Sequence, residues 1–288
     1  MIDFDYLSKI RTTFALQTSK RTSNILEGDF SSVYRGRSLE FDELSEYTYG
    51  DNVQDIDWKS SSRTGRTLVR RYVAEKKHYI LFVTDTGPKM LAHTSAGEQK
   101  ADIAVTLFGT VAYLVDRCGA DYAHLVSAGE GSDVGLFRSG MRHLDSLIHR
   151  YAEMIGEQGT TDLPHLLDYA AENIRKKMII CVITDIDGVA RIDENLMQKV
   201  SLNNDLLIAN IDDAYLTDDY AFDTDTRRYA DTYLIRSKKL RRAEHAQRRE
   251  ILERAWSVMK KNRVGFTTVS RESEVVDRVI ALFDRNRD

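Results

Sequence analysis

The amino-acid sequence predicts an α/β protein built on a doubly wound, mainly parallel sheet with helices on both faces. Short, continuous apolar runs such as Tyr79–Thr84 and Met178–Thr184 are typical of strands that are covered on both sides. The segments between these runs have helical periodicity, as over Ala104–Val115. Strands that alternate with helices favour βαβ units, and successive βαβ units build a parallel, Rossmann-like sheet.

From residue 79 onward, periodicity predicts each element in turn. The expected order is strand Tyr79–Thr84, a helix with its apolar stripe over Ala104–Val115, strands Asp121–Ser127 and Asp133–Phe137, helix His143–Ile155, a helix that Asp162 caps, strand Met178–Thr184, helix Ile192–Val200, strand Leu206–Ile211, the long helix Ser237–Asn262, strand Val264–Val269 and a helix with an apolar face over Val275–Phe283. The short connection near residue 130 predicts one antiparallel edge strand.

Residues 1–78 follow a less regular pattern. A helix is indicated over Asp5–Leu16, Ser19–Ser38 is polar and irregular, and Lys59–Val73 alternates weakly, as a strand would. We therefore expect an N-terminal segment, 1–78, that packs on a main domain, 79–288.

The composition excludes several classes of protein. The chain has 288 residues and a net charge of −4, which does not favour nucleic acid as a partner. It lacks a P-loop motif, a secretory signal pattern and an apolar run long enough to span a membrane. Its two cysteines, Cys118 and Cys181, are far apart and follow no zinc-site spacing. A cytoplasmic location is therefore expected.

Residues 36–85 contain a set of motifs at fixed offsets. These are Gly36–Phe41, Glu46-Tyr47, Gly50-Asp51, Ile56-Asp57-Trp58, Arg63, Glu75 and Asp85. The set resembles the bacterial family called domain of unknown function 58, whose members pair with MoxR-type AAA+ ATPases. The resemblance implies a von Willebrand factor type A-like domain after residue 78. Ser45 and Gln54 depart from the pattern, since the family usually has basic residues at both places.

The resemblance also implies a metal-ion-dependent adhesion site where the first and fourth strands of that domain end. Asp85, Thr161 and Asp185 match three of the usual Mg²⁺ ligands, and hard oxygen donors suit this ion. Gly87 and Lys89 stand in place of the two usual serines. Because Lys89 brings a cation to the place of the metal, we expect a degenerate site with no cofactor, or with weakly bound Mg²⁺. The alternative is that both aspartates only cap turns or helices and that Lys89 is solvated.

Charge is distributed unevenly along the chain. Arg236–Arg263 holds eleven Lys or Arg against three Glu, whereas Asp212–Asp225 holds six Asp and no base. The acidic segment follows a predicted strand, so it should lie at the same sheet edge as the candidate metal site. We expect Lys89, Asp187, Asp212 and Asp213 to contact a partner at this edge. The basic segment is a docking surface or only a solvated face.

These observations predict a non-enzymatic protein-interaction module with no catalytic residues. The resemblance implies that it acts as an adaptor or co-chaperone of a MoxR-type ATPase in complex assembly or maturation, with other proteins as clients. A scaffold that works without an ATPase is a second possibility.

A metal-dependent hydrolase is the alternative from another class. It would use Asp51, Asp55 or Asp57 together with Asp85 for acid–base chemistry. Simpler structural roles compete with it: Asp51 in a turn, Asp57 as a hydrogen-bond acceptor for a nearby arginine, and Trp58 as a core anchor.

Overall fold

A computed structural model describes residues 6–17, 39–74, 78–128, 131–156, 159, 162–218, 222–223, 228–229 and 237–284. The chain forms two compact units. Met1–Asp29 and Tyr79–Asp288 make up the larger unit, and Phe30–His78 make up the smaller unit. The larger unit therefore includes the first helix, which the sequence analysis assigned to the N-terminal segment. The division into domains at residue 78 stays a prediction.

The described helices and strands are numbered in chain order. The helices are α1 (Tyr6–Gln17), α2 (Trp58–Thr64), α3 (Lys100–Arg117), α4 (Met141–Met154), α5 (Leu163–Asn173), α6 (Ile186–Arg191), α7 (Glu194–Ser201), α8 (Lys238–Lys261) and α9 (Val275–Asp284). The strands are β1 (Leu39–Glu46), β2 (Leu68–Ala74), β3 (Tyr79–Thr84), β4 (Asp121–Ala128), β5 (Gly131–Val134), β6 (Ile179–Asp185), β7 (Asp205–Ile211), β8 (Phe222–Asp223), β9 (Arg228–Tyr229) and β10 (Gly265–Val269). Within the described residues, no helix is both long enough and apolar enough to cross a membrane.

A six-stranded sheet forms the centre of the larger unit, in the order β10–β7–β6–β3–β4–β5. Neighbouring strands are parallel except β4 and β5, which form the antiparallel edge predicted near residue 130. Strands β3, β6 and β7 are buried almost throughout because apolar side chains leave both of their faces. The predicted fold class is therefore confirmed.

Helices cover both faces of this sheet. Leu81 of β3 packs in a cluster with apolar side chains of α5, α7 and α8. The next residue, Phe82, points to the opposite face and contacts Phe108 of α3, with ring centroids 4.2 Å apart. Helix α1 approaches α3 closely at Gly109, where a Cβ atom would lie only 2.3 Å from Cδ1 of Ile10. Ile10 is 2% exposed, so α1 contributes to the core of the larger unit.

The smaller unit contains a helix, α2, in a segment where the sequence analysis expected a strand. Residues Lys59–Val73 were expected to pair as a strand, but only Leu68–Ala74 does so, antiparallel to β1. Before it lies α2, because the Asp57 side chain accepts a hydrogen bond from Ser60 N at 3.0 Å and caps the helix. Gly65, with φ of 70°, ends α2.

The prediction that Trp58 anchors a core is wrong. This side chain stands at the first position of α2 and is 67% exposed. Nothing in the local pattern distinguishes a tryptophan on the inner face of a short helix from one on its outer face.

Candidate functional site

Two buried aspartates meet at one edge of the sheet. Strands β3 and β6 are parallel neighbours, Asp85 follows β3, and Asp185 ends β6. A hydrogen bond of 2.9 Å from Asp85 N to Ile183 O continues the pairing beyond β3. The chain leaves β3 towards β4 and leaves β6 towards β7, so this edge is the switch point of the sheet. Each aspartate is 1% exposed.

Lys89 lies between the two carboxylates. Its Nζ is 2.6 Å from Asp85 Oδ2 and 2.7 Å from Asp185 Oδ1. The 3-10 turn Pro88–Leu91 returns the chain to the sheet edge and places the side chain there. The Lys89 side chain remains 25% exposed, so part of it faces solvent.

A second lysine, Lys100, extends the network and was missed by the sequence analysis. Its Nζ is 2.9 Å from Asp185 Oδ2 and also contacts Asp213 Oδ1. Although it is a lysine, its side chain is only 1% exposed. A signal was available: Lys100 stands four residues before Ala104, in register with the apolar stripe of α3. A charged residue on the inner face of a helix requires a buried partner.

The loop after β7 closes the other side of the site. Arg248 of α8 donates hydrogen bonds of 2.5 Å to the backbone oxygens of Asp213 and Ala214. The Asp212 side chain accepts hydrogen bonds from Ser95 Oγ and, at 3.4 Å, from Ser270 Oγ. Asp213 therefore lies close to Asp185, with which it shares Lys100, whereas Asp212 follows β7 and contacts two serines instead. Part of the basic helix binds this loop.

Backbone and hydroxyl groups also donate hydrogen bonds to the two carboxylates. Asp85 accepts hydrogen bonds from Gly87 N at 3.2 Å and from Thr184 Oγ1 at 3.1 Å. Asp185 accepts one from Gly188 N at 3.1 Å and is the N-cap of α6. Asp185 therefore caps a helix, as the alternative interpretation of the sequence had it, and also forms ion pairs with both lysines.

The ion pairs keep Lys89, Asp185 and Lys100 charged at neutral pH. Burial raises the pKa of Asp185, but Lys100 and then Lys89 outweigh it and bring the pKa down to about 2. Burial lowers the pKa of each lysine, yet the neighbouring carboxylates hold both values above the ordinary one. The pKa of Asp213 is raised. Burial is the largest cause, and together with the charge of Asp185 it outweighs the contact with Lys100.

The donor set does not fit Mg²⁺. The ammonium group of Lys89 occupies the position between the two carboxylates that the resemblance assigned to the metal. Gly87 offers no side-chain ligand, and Thr161 lies outside the described residues. Among the residues that the structure describes, no group of three or more His, Cys, Asp or Glu side chains is arranged to hold a metal ion.

The remaining predicted residues have separate environments. Asp187 is exposed in the first turn of α6. In the smaller unit, Asp51 Oδ2 accepts hydrogen bonds from the backbone and hydroxyl of Thr48, and Asp55 stands in a 3-10 turn. Asp57 caps α2 and accepts hydrogen bonds of 3.0 and 3.1 Å from Arg70, the arginine contact that its structural role predicted. The hydrogen bond from Ser60 N, followed by that from Arg70, lowers the pKa of Asp57.

A cavity of about 270 Å³ opens beside the site, between α8 and the loop after β7. Asp212, Asp213 and Arg248 contribute to its wall. Tyr215 and His245 also line it and stack with ring centroids 3.9 Å apart. The wall is therefore both charged and aromatic.

Among solved structures, the protein BatB from Bacteroides thetaiotaomicron resembles this chain at 12% identity and a TM-score of 0.44, over 73% of this chain and 98% of that one. A von Willebrand factor type A protein from Catenulispora acidiphila does so at 11% identity and a TM-score of 0.39, over 76% and 44%. These values are too low to add to what the strand order already establishes.

Among curated proteins, an uncharacterized protein of Mycobacterium tuberculosis is 25% identical over 191 residues. The match covers 65% of this chain and 59% of that relative. The family model described as "Protein of unknown function DUF58" matches residues 43–219, which is more than half of the sequence. The chain therefore belongs to the DUF58 family, as its motifs indicated.

Proposed function

We propose that this protein is a non-enzymatic docking module whose switch-point edge binds a partner protein. The observation that carries the proposal is the chain of alternating charges Asp85–Lys89–Asp185–Lys100–Asp213 at that edge. The buried members Asp85, Asp185 and Lys100 hold Lys89 and Asp213 in place, so these two partly exposed side chains present charged groups with little conformational freedom. Preorganised groups lose little entropy when a partner binds.

The same network argues against acid–base catalysis at this edge. A general acid or base works best with a pKa near the working pH, whereas the lysines bring the pKa of Asp185 to about 2. Asp85 contacts Lys89 and accepts a hydrogen bond from a hydroxyl group. In the smaller unit, Asp57 is occupied by Ser60 and Arg70, which supports its structural role over the hydrolase alternative.

The docking edge combines groups that a protein partner can use. Lys89 is partly exposed, Asp187 is exposed, and Asp212 is half-buried beside the cavity. Charged groups of both signs around a cavity favour a partner protein with a complementary charge pattern, and they fix the orientation in which that partner binds. We do not propose nucleic acid, since the net charge of the chain is −4.

Family membership leads us to propose a MoxR-type AAA+ ATPase as the partner, with both proteins in the cytoplasm. In this arrangement the ATPase supplies the energy for remodelling, and the docking module contributes recognition of the ATPase and of client proteins.

The proposal is tested by binding purified MoxR-type ATPase from the same organism to the immobilised protein. Asp187→Lys reverses an exposed charge at the docking edge and should weaken binding by about tenfold. Glu172→Lys is the matched control. It reverses the charge of an acid that is also exposed, but that precedes β6 and so belongs to the opposite edge of the sheet.

Wild-type protein and Glu172→Lys should bind alike. Failure of the wild-type protein to bind the ATPase would refute the partnership, and equal losses in both variants would refute the docking edge.

A further inference from the structure

Three large apolar side chains are exposed within ten residues of the smaller unit. Trp58 is 67% exposed, Val53 is 58% exposed, and Tyr49 is fully exposed. Single exposed apolar residues are common on protein surfaces, but a group that includes a tryptophan and a tyrosine indicates an interaction site. These residues belong to the smaller unit, whereas the switch-point edge belongs to the larger unit, and the function proposed above does not use them.

The backbone places the three residues on one closed loop and at the start of the helix that follows it. Tyr47 N donates a hydrogen bond of 2.9 Å to Thr67 O, and Asp57 N donates one of 2.9 Å to Leu68 O. Because the two acceptors are consecutive, both ends of segment 48–56 meet at the start of β2. Tyr49 and Val53 lie on the loop closed in this way, and Trp58 follows it directly.

Hydrogen bonds within the loop hold its shape. Asp51 Oδ2 accepts from Thr48 N at 2.9 Å and from Thr48 Oγ1 at 2.8 Å, and Asn52 Oδ1 accepts from Gln54 N at 3.2 Å. Gly50 has φ of 109°, a conformation that favours glycine. The apolar side chains are thus displayed on a preformed support.

Positive charge flanks this loop. Lys59 and Arg63 of α2 and the following Arg66 are exposed, and residues 58–74 include no acidic side chain. The ion pair from Arg66 to Glu46 is itself highly exposed, so exchanging it for another carboxylate has little energetic cost. An exposed tryptophan beside exposed cations is complementary to an apolar residue flanked by carboxylates.

We propose that Tyr49, Val53, Trp58, Lys59 and Arg63 form a docking surface for an acidic segment of a partner protein that carries a bulky apolar side chain. The apolar side chain packs against Trp58, and the carboxylates pair with Lys59 and Arg63. A lipid surface or a nucleic acid is disfavoured because Asp51 and Asp55 stand in the same loop and would face a uniformly anionic partner. A peptide can place its carboxylates on the basic side alone.

The test uses a phage-displayed library of random linear peptides, selected on the immobilised full-length protein. Selected peptides should combine Asp or Glu with an aromatic or aliphatic residue. Their affinity should fall about thirtyfold for Trp58→Ser, as expected for a central tryptophan. Trp256→Ser is the matched control, because Trp256 is also exposed, at 45%, but lies on α8. Both substituted side chains are solvent-exposed, and circular dichroism checks that both variants fold.

A direct readout comes from the single-tryptophan variant Trp256→Phe, which leaves Trp58 as its one source of tryptophan emission. A selected peptide should shift this emission to shorter wavelength, and Lys59→Glu with Arg63→Glu should abolish the shift. Selection of no peptide, of peptides without acids, or of peptides that bind Trp58→Ser unchanged would overturn the proposal. A shift produced only by phosphatidylglycerol vesicles or by single-stranded DNA would overturn it in favour of that partner.

Discussion

Replacing Lys100 by methionine tests whether the buried charges stabilise the switch-point edge as a connected network. The variant keeps most of the length of the side chain and removes its charge. Asp185 retains Lys89 at 2.7 Å, whereas Asp213 loses the contact of its carboxylate with an ammonium group. Removing one partner of a buried ion pair costs about 3–5 kcal/mol, because the other charge is left uncompensated. We expect about 3 kcal/mol, since only one of the two carboxylates is left unmatched.

The free energy of unfolding is measured by urea titration, followed by circular dichroism. Lys199→Met is the matched control. Lys199 also contacts two carboxylates, of Asp168 and Glu172, both at 2.7 Å, but its side chain is 42% exposed. The control should lose less than about 1 kcal/mol, because exposed ion pairs contribute little.

A second substitution identifies the cause of the loss. In Lys100→Met with Asp213→Asn, the unmatched carboxylate is gone, and about half of the lost stability should return. The explanation fails if Lys100→Met is no more destabilising than Lys199→Met, or if Asp213→Asn makes the double variant less stable still.

Three further changes have defined outcomes. Burial is the main cause that lowers the pKa of His124 to about 3, and Arg150 is the second. Because the unfolded chain binds this proton below about pH 6.5 and the folded chain does not, the free energy of unfolding should fall by about 2 kcal/mol from pH 7 to pH 5. The variant His124→Gln should lose that part of the pH dependence in urea titrations, and an unchanged slope would contradict the assignment. Calorimetry with Mn²⁺ should detect binding to Lys89→Ser, in which the ammonium group is gone, with at least about tenfold higher affinity than to wild type; equal affinities would contradict the displacement of a metal by Lys89. Gly188→Ala should lower the melting temperature, at a cost of about 1–3 kcal/mol, because its Cβ would lie 1.9 Å from Thr184 Oγ1. The control Gly156→Ala has open space around its Cβ and should melt like wild type; equal losses would contradict the steric explanation.

Local pattern was sufficient for the strands at the centre of the sheet, whereas the position of its switch point was implied by the family resemblance. Strands β3, β6 and β7 are recognisable because a run of apolar residues must be covered on both faces. The resemblance, which places the ends of the first and fourth strands at one switch point, implied that the aspartates that follow β3 and end β6 meet. The contact of Lys89 with both of them could be anticipated, because the resemblance places this residue where a metal would otherwise lie.

Tertiary structure alone decided which partners the buried charges have and whether the Trp58 side chain is buried. Lys100 pairs with Asp185 across 85 positions of the chain, and the packing of α3 against the sheet brings them together. Periodicity places Lys100 on the inner face of α3, but the identity of its partners depends on the packing of distant segments. Trp58 shows the opposite case, since a residue type that is usually buried is exposed in α2. Burial depends on what packs against a side chain, and a local sequence pattern does not contain that information.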